Sequence, residues 1–144
     1  MHSSLAKLRI TLIIIGFVIF SHAEVRAEDW RLYAKTDLYE CFYDAGDMIR
    51  SSEDNMKVWT KLDYTQRGVL EMVKKFGKHY ESLSYSQELW EINCAGKKDR
   101  LLSVTAYTPE GNILYTDQAG SRPPPWKIIS RESVEESLYR ALCK

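Results

Sequence analysis

Apolar and polar side chains alternate along most of this chain, and Leu89-Trp90-Glu91-Ile92-Asn93-Cys94 shows the pattern best. Trp90, Ile92 and Cys94 fall on one side and Leu89, Glu91 and Asn93 on the other, as in a strand with one buried face. Similar stretches predict strands over Trp30–Lys35, with Trp30, Leu32 and Ala34 on one side, over Leu38–Tyr43 and over Lys57–Leu62. Between the last two, Met48 and Ile49 are an apolar return predicted to tuck a turn into the core, and Ser51–Asn55 is a polar loop. The run carrying Trp90 is predicted as a strand from Ser84 to Cys94. Arg100–Tyr107 and Asn112–Asp117 follow as strands, joined through Thr108-Pro109-Glu110-Gly111, which has proline and glycine where a tight turn needs them.

Two segments change period. Val69, Val73, Phe76 and Tyr80 lie at i, i+4, i+7 and i+11, the stripe of a short helix with Gly68 weakening its start and Gly77 its end. Ser133-Val134-Glu135-Glu136 reads as a capping box, and Val134, Leu138, Ala141 and Leu142 form the apolar stripe behind it. Between them, Arg122-Pro123-Pro124-Pro125-Trp126 is held extended by its prolines. No repeat or linker divides the chain. The order β-β-β-α-β-β-β-α with short connections predicts a single α+β domain: an antiparallel sheet of about six strands with two helices packed on it.

The first 27 residues stand apart. Lys7 and Arg9 lead an apolar run from Ile10 to Phe20, and small residues at Ala23 and Ala27 offer cleavage points. This is the layout of a signal peptide, cut after residue 23 or 27, and the run falls short of the roughly 20 residues that span a bilayer. The mature domain, residues 28–144, is then expected to be exported, with no membrane span of its own. Of 20 basic and 20 acidic residues, Lys7, Arg9 and Arg26 but only Glu24 lie in this leader, so the mature chain carries a net charge of about −2. Nothing in that balance suggests nucleic acid or an anionic membrane as partner.

Export changes the reading of Cys41, Cys94 and Cys143, because an oxidising compartment favours a disulfide. Three pairings are open. Cys94–Cys143 is preferred, since it pins the last helix to the strand through Trp90. Closing a loop of about 50 residues contributes roughly 4 kcal/mol on the chain-entropy account. Cys41 is then a buried thiol in a strand, with pairing to a second chain the lesser alternative.

Candidate chemistry is sparse. Beyond the leader His79 is the one histidine, which excludes a histidine metal cluster within one chain. No nucleophile elbow, dinucleotide loop or phosphate loop occurs. The carboxylates at Asp44, Asp47, Glu53 and Asp54 lack calcium-loop spacing and read as polar turns. No catalytic set emerges, so the chain is expected not to be an enzyme, and no cofactor or metal is indicated. Lys97, Lys98 and Arg100 form a basic turn suited to a carboxylate or an acidic polysaccharide, or simply to a soluble hairpin tip. With Tyr107 they are the candidate binding surface. Five further tyrosines, Tyr39, Tyr43, Tyr64, Tyr85 and Tyr115, suit the half-buried face of a sheet or a recognition surface.

Taken in order, Trp30, Phe42-Tyr43-Asp44, Val58-Trp59, Glu91-Ile92-Asn93-Cys94, Arg100–Tyr107, Gly111, Trp126-Lys127-Ile128-Ile129, Ser133 and Cys143 make the chain similar to the surface-adhesin protein E family of exported bacterial proteins. The resemblance implies a six-stranded antiparallel sheet with helices and a Cys94–Cys143 disulfide. It also implies an adhesin-like binding module of a Gram-negative envelope or surface, acting in the periplasm, on the outside or after secretion. Its partner would be an extracellular protein. The family's name-giving member also binds haem; with His79 alone, paired-histidine ligation here requires a homodimer. The alternative is a periplasmic carrier of haem or another small apolar ligand.

Overall fold

The structure is a computed structural model and describes residues 27–144, so the leader assigned to residues 1–27 lies, apart from Ala27, outside the described residues. Eight strands form one sheet: β1 (Trp30–Lys35), β2 (Tyr39–Asp44), β3 (Ile49–Arg50), β4 (Asn55–Tyr64), β5 (Tyr85–Asn93), β6 (Lys98–Tyr107), β7 (Ile113–Gln118) and β8 (Lys127–Ile128). The main path runs β1-β2-β4-β5-β6-β7, with β3 added beside β4 and β8 beside β6. Every pairing is antiparallel. Helices α1 (Gln66–Phe76) and α2 (Val134–Leu142) complete the α+β domain.

Register assigns the faces. Val58 pairs with Trp90, Leu62 with Ser86 and Ser86 with Ala106, so these residues share one face. There, Val58, Ile92 and Leu138 of α2 form one core, joined by Tyr33, Trp90 and the disulfide. Ala106 belongs to a second core with Tyr80 and Leu83, on which Val69, Met72 and Val73 of α1 pack. Both helices therefore cover the same face. The opposite face carries Leu32, Phe42, Lys61, Gln87 and Thr105 in one row and Trp59, Leu89 and Ser103 in the next, with no helix over them.

Local chemistry explains the boundaries. The Thr36 hydroxyl accepts from the backbone N–H groups of Leu38 and Tyr39, closing the β1–β2 turn. Thr65 caps α1 by accepting from the Gly68 N–H, and Gly77, at φ 110°, stops the helix. Ser133 caps α2 by accepting from the Glu136 N–H at 3.1 Å. The Glu136 carboxylate reaches back one residue further than in a standard capping box and accepts from the Glu132 N–H at 2.7 Å. Cys94 and Cys143 are joined across 5.5 Å between their Cα atoms, tying the end of β5 to the end of α2. Cys41 is a free thiol, fully buried in β2.

Three expectations are corrected, and one strand is new. Leu32 faces away from Ala34, because a bulge at Tyr33 shifts the β1 register by one and turns Tyr33 into the core. Met48 and Ile49 do not enter the core; they are 40% and 53% exposed, and Ile49 instead extends the sheet beside Lys57. Phe76 and Tyr80 do not share one helical stripe, since Gly77 breaks the helix and Tyr80 is buried from a separate 3-10 turn while Phe76 is half exposed. After the prolines, Lys127 and Ile128 form β8 against Asp99 and Lys98, a pairing whose two residues leave no periodicity to detect.

Candidate binding sites

The predicted basic turn is divided by the fold. Lys97 adopts φ 48° and points its ammonium at Glu136 Oε1, 2.7 Å away, and over the Tyr139 ring. Glu136 is thereby held well below the usual carboxylate range, at about 2, first by the Lys97 hydrogen bond and then by the Glu132 N–H. Arg100 turns to the other face, donates to Glu91 Oε2 at 2.7 Å, and stacks 4.1 Å from the centre of the Trp126 ring. Glu91 also accepts from Ser51 at 2.8 Å, so the extended proline segment is fastened at Trp126 over a buried ion pair. Lys98 opens the ten-residue β6 and Tyr107 closes it, which sets them about 30 Å apart. Tyr107 stacks on Tyr85 at 4.8 Å. Lys98, Arg100 and Tyr107 thus share the helix-free face without meeting, and Lys97 lies on the helix side.

That helix-free face holds a groove of about 250 Å³ beside the half-buried Trp59, bounded by Trp30, Gln87, Glu28, Asp44 and Asp47. Asp44 is fixed by accepting from the Asp29 and Gly46 N–H groups, each at 2.9 Å. Trp30 donates from its indole to Glu28, and the Lys61 ammonium sits 5.2 Å from the Phe42 ring and 5.8 Å from the Trp30 ring. On the other side of Trp59, a second hollow of about 420 Å³ is walled by Leu89, Leu102 and Pro123. Aromatic rings with polar groups at their rims are also the composition enriched in protein interfaces.

The helix side has a roomy cleft, of about 500 Å³, where α1 leaves the sheet. Its floor is Leu38, Tyr39 and Tyr64, the two rings meeting edge to face at 5.8 Å. Met72 forms the apolar wall, and Glu71, Lys74 and Lys75 stand at the rim. Burial raises both phenols above their ordinary range, consistent with an apolar floor. The site arises because Gly68 lets α1 approach: a β-carbon there would lie 2.0 Å from the Leu38 carbonyl oxygen, which instead accepts from the Thr65 N–H and hydroxyl.

Burial sets the state of two reactive groups. Burial pushes the Cys41 thiol up to about 12, so it stays protonated and a poor nucleophile. Burial likewise raises Glu88, whose carboxylate accepts from the Trp90 indole at 2.8 Å. His79 lies exposed on the 3-10 turn with its ring 4.1 Å from that of Tyr80, and it lines neither the cleft nor the groove. Among the described residues no group of three or more His, Cys, Asp or Glu could hold a metal ion, and no helix is long and apolar enough to cross a membrane.

Sequence reading missed both the groove and the cleft. The tyrosine and tryptophan positions were visible, but pairing Trp30 with Trp59 requires the strand order, and pairing Tyr64 with Met72 requires the angle at which α1 leaves β4.

No curated protein and no solved structure gives a significant match. The family model for surface-adhesin protein E matches residues 30–144, from the first residue of β1 to the end of the chain and through every element described above. The chain therefore belongs to the surface-adhesin protein E family.

Proposed function

We propose that this is an exported, non-enzymatic binding module of a Gram-negative cell envelope or surface, adhesin-like in that it engages an extracellular protein. The observation that carries the reading is the division of the sheet. Both helices and the disulfide lie on one face, and the other presents Trp30, Phe42, Trp59 and Leu89 half-buried with nothing helical above them. Lys98, Arg100 and Tyr107 extend the same surface along β6. The leader, cut after residue 23 or 27, and the disulfide both suit an oxidising compartment outside the cytoplasm.

The test is binding of oxidised mature protein to immobilised extracellular-matrix and plasma proteins, with Trp59→Ala as the paired variant. Saturable binding that falls about tenfold in the variant is expected, a usual loss for a central aromatic anchor. The absence of binding across the panel, or full protection from protease on intact cells, would overturn the surface reading. A second reading, a carrier of a small apolar ligand, is favoured by the cleft beside α1. Haem is the less suited cargo, since His79 stands outside that cleft.

A further inference from the structure

Beyond adhesion, we infer that the cleft between α1 and the sheet is a site for a single-chain fatty acid, its carboxylate on Lys74 and Lys75 and its chain on Tyr39, Tyr64 and Met72. The inference rests on the second, small-ligand reading and adds the chemistry of the ligand. At about 500 Å³ the cleft falls within the range of small-molecule sites, and its composition is the usual one: an apolar floor with a few polar groups at one end. The polar end is what selects the ligand. Lys74 and Lys75 occupy the last turn of α1 and are exposed, Glu71 opposes them one turn earlier, and the rim is net positive. An ammonium on a flexible stem adapts to a carboxylate head, while the half-buried tyrosines and Met72 offer an apolar, deformable bed to a methylene chain.

Charge decides between amphiphiles. A cationic head would meet two lysines against one glutamate, and a neutral alcohol would gain the floor but not the rim. The cleft is also a fixed feature of the fold, because Gly68 against the Leu38 carbonyl sets the height of α1 above Tyr39 and Tyr64.

The experiment uses oxidised mature protein and a dansyl-labelled undecanoic acid below its micellar concentration. Its emission should shift to the blue and saturate. Dodecanoate should displace it at lower concentration than dodecanol, and dodecyltrimethylammonium should displace it least. The variant K74E/K75E, altered only at exposed positions, should keep its circular dichroism and bind the probe about tenfold more weakly. The Met72 methyl resonance should move on binding.

Failure of the probe, dodecanol and dodecanoate alike would dispose of the small-ligand reading itself. Equal displacement by all three amphiphiles, with no loss in K74E/K75E, would leave that reading standing and overturn the fatty-acid assignment. An unmoved Met72 methyl with saturable binding would overturn its location.

Discussion

Gly68→Ala sets two effects of opposite sign against each other. On helix propensity alone, alanine in α1 should stabilise by up to about 1 kcal/mol, partly by restricting the unfolded chain. The structure predicts the reverse. The new methyl would sit 2.0 Å from the Leu38 carbonyl oxygen and 2.9 Å from its carbonyl carbon, so helix and strand must separate by about 1 Å to reach distances that real side chains adopt. Overpacking of this kind costs roughly 1–3 kcal/mol. Separation also loosens the hydrogen bonds from the Thr65 N–H and hydroxyl to Leu38, at 2.9 and 3.1 Å, worth about 1 kcal/mol each. The clash wins, for a net loss of about 2–4 kcal/mol. Urea unfolding of oxidised protein measures this directly, with the slope checked for constancy so that the midpoint reports stability. A midpoint equal to or above that of the parent would refute the close-approach reasoning and restore propensity as the dominant effect.

Two further outcomes follow from the same face of the sheet. Replacing both members of the disulfide, C94A/C143A, should destabilise by about 4 kcal/mol for a separation of 49 residues, a large share of what a domain this size has; calorimetry would show it, and a midpoint unchanged within a degree would refute it. Asp99, 4% exposed on the helix side between Glu135 of α2 and Lys127 of β8, is raised to about 6, chiefly by burial and then by Glu135. Its folded pKa exceeds the unfolded 3.8, so its contribution to stability is complete below pH 3.8 and is lost as pH rises through 6. Asp99→Asn should therefore stabilise by about 2 kcal/mol at pH 7.5 and by little at pH 4. A difference constant across that range would rule out the titration as its source.

Much of the fold was readable because its elements carry their signals locally. The strand through Trp90 and Ile92 shows its buried face by alternation, and the Ser133–Glu136 cap sits at its helix start as its spacing implies. Errors gathered where one residue changes the count. The Tyr33 bulge reverses every side chain before it, so a correct strand at Trp30–Lys35 was paired with the wrong face for Leu32. Gly68 was read through its weak propensity, although its role depends on a carbonyl 30 residues earlier in the chain. Lys97 and Lys98 are adjacent in sequence and so looked like one basic patch; a backbone of positive φ sends Lys97 to α2, while Lys98 begins the strand. The groove and cleft join residues from strands and helix far apart in sequence, which no local pattern encodes.

The order of the strands bears on how the domain comes together. Apart from the two-residue β3, which waits for β4, the strands from β1 to β7 pair along the chain as a meander, each landing on the edge made by the one before, so the sheet grows by short loop closures of the kind that fold fast. α2 breaks this sequence. It is the last of the described elements, yet it covers Val58 and Ile92 in the middle of the sheet and packs against β1 at its first edge, and Cys143, the residue that follows it, carries the bond to Cys94. A chain emerging from its N-terminus, from a ribosome or through a translocation pore, can assemble most of its sheet while the apolar centre stays bare until α2 follows. Oxidation of Cys94 with Cys143 then locks the cover in place: the bond can form only once α2 has been made, and it holds the helix over the core that the sheet leaves bare.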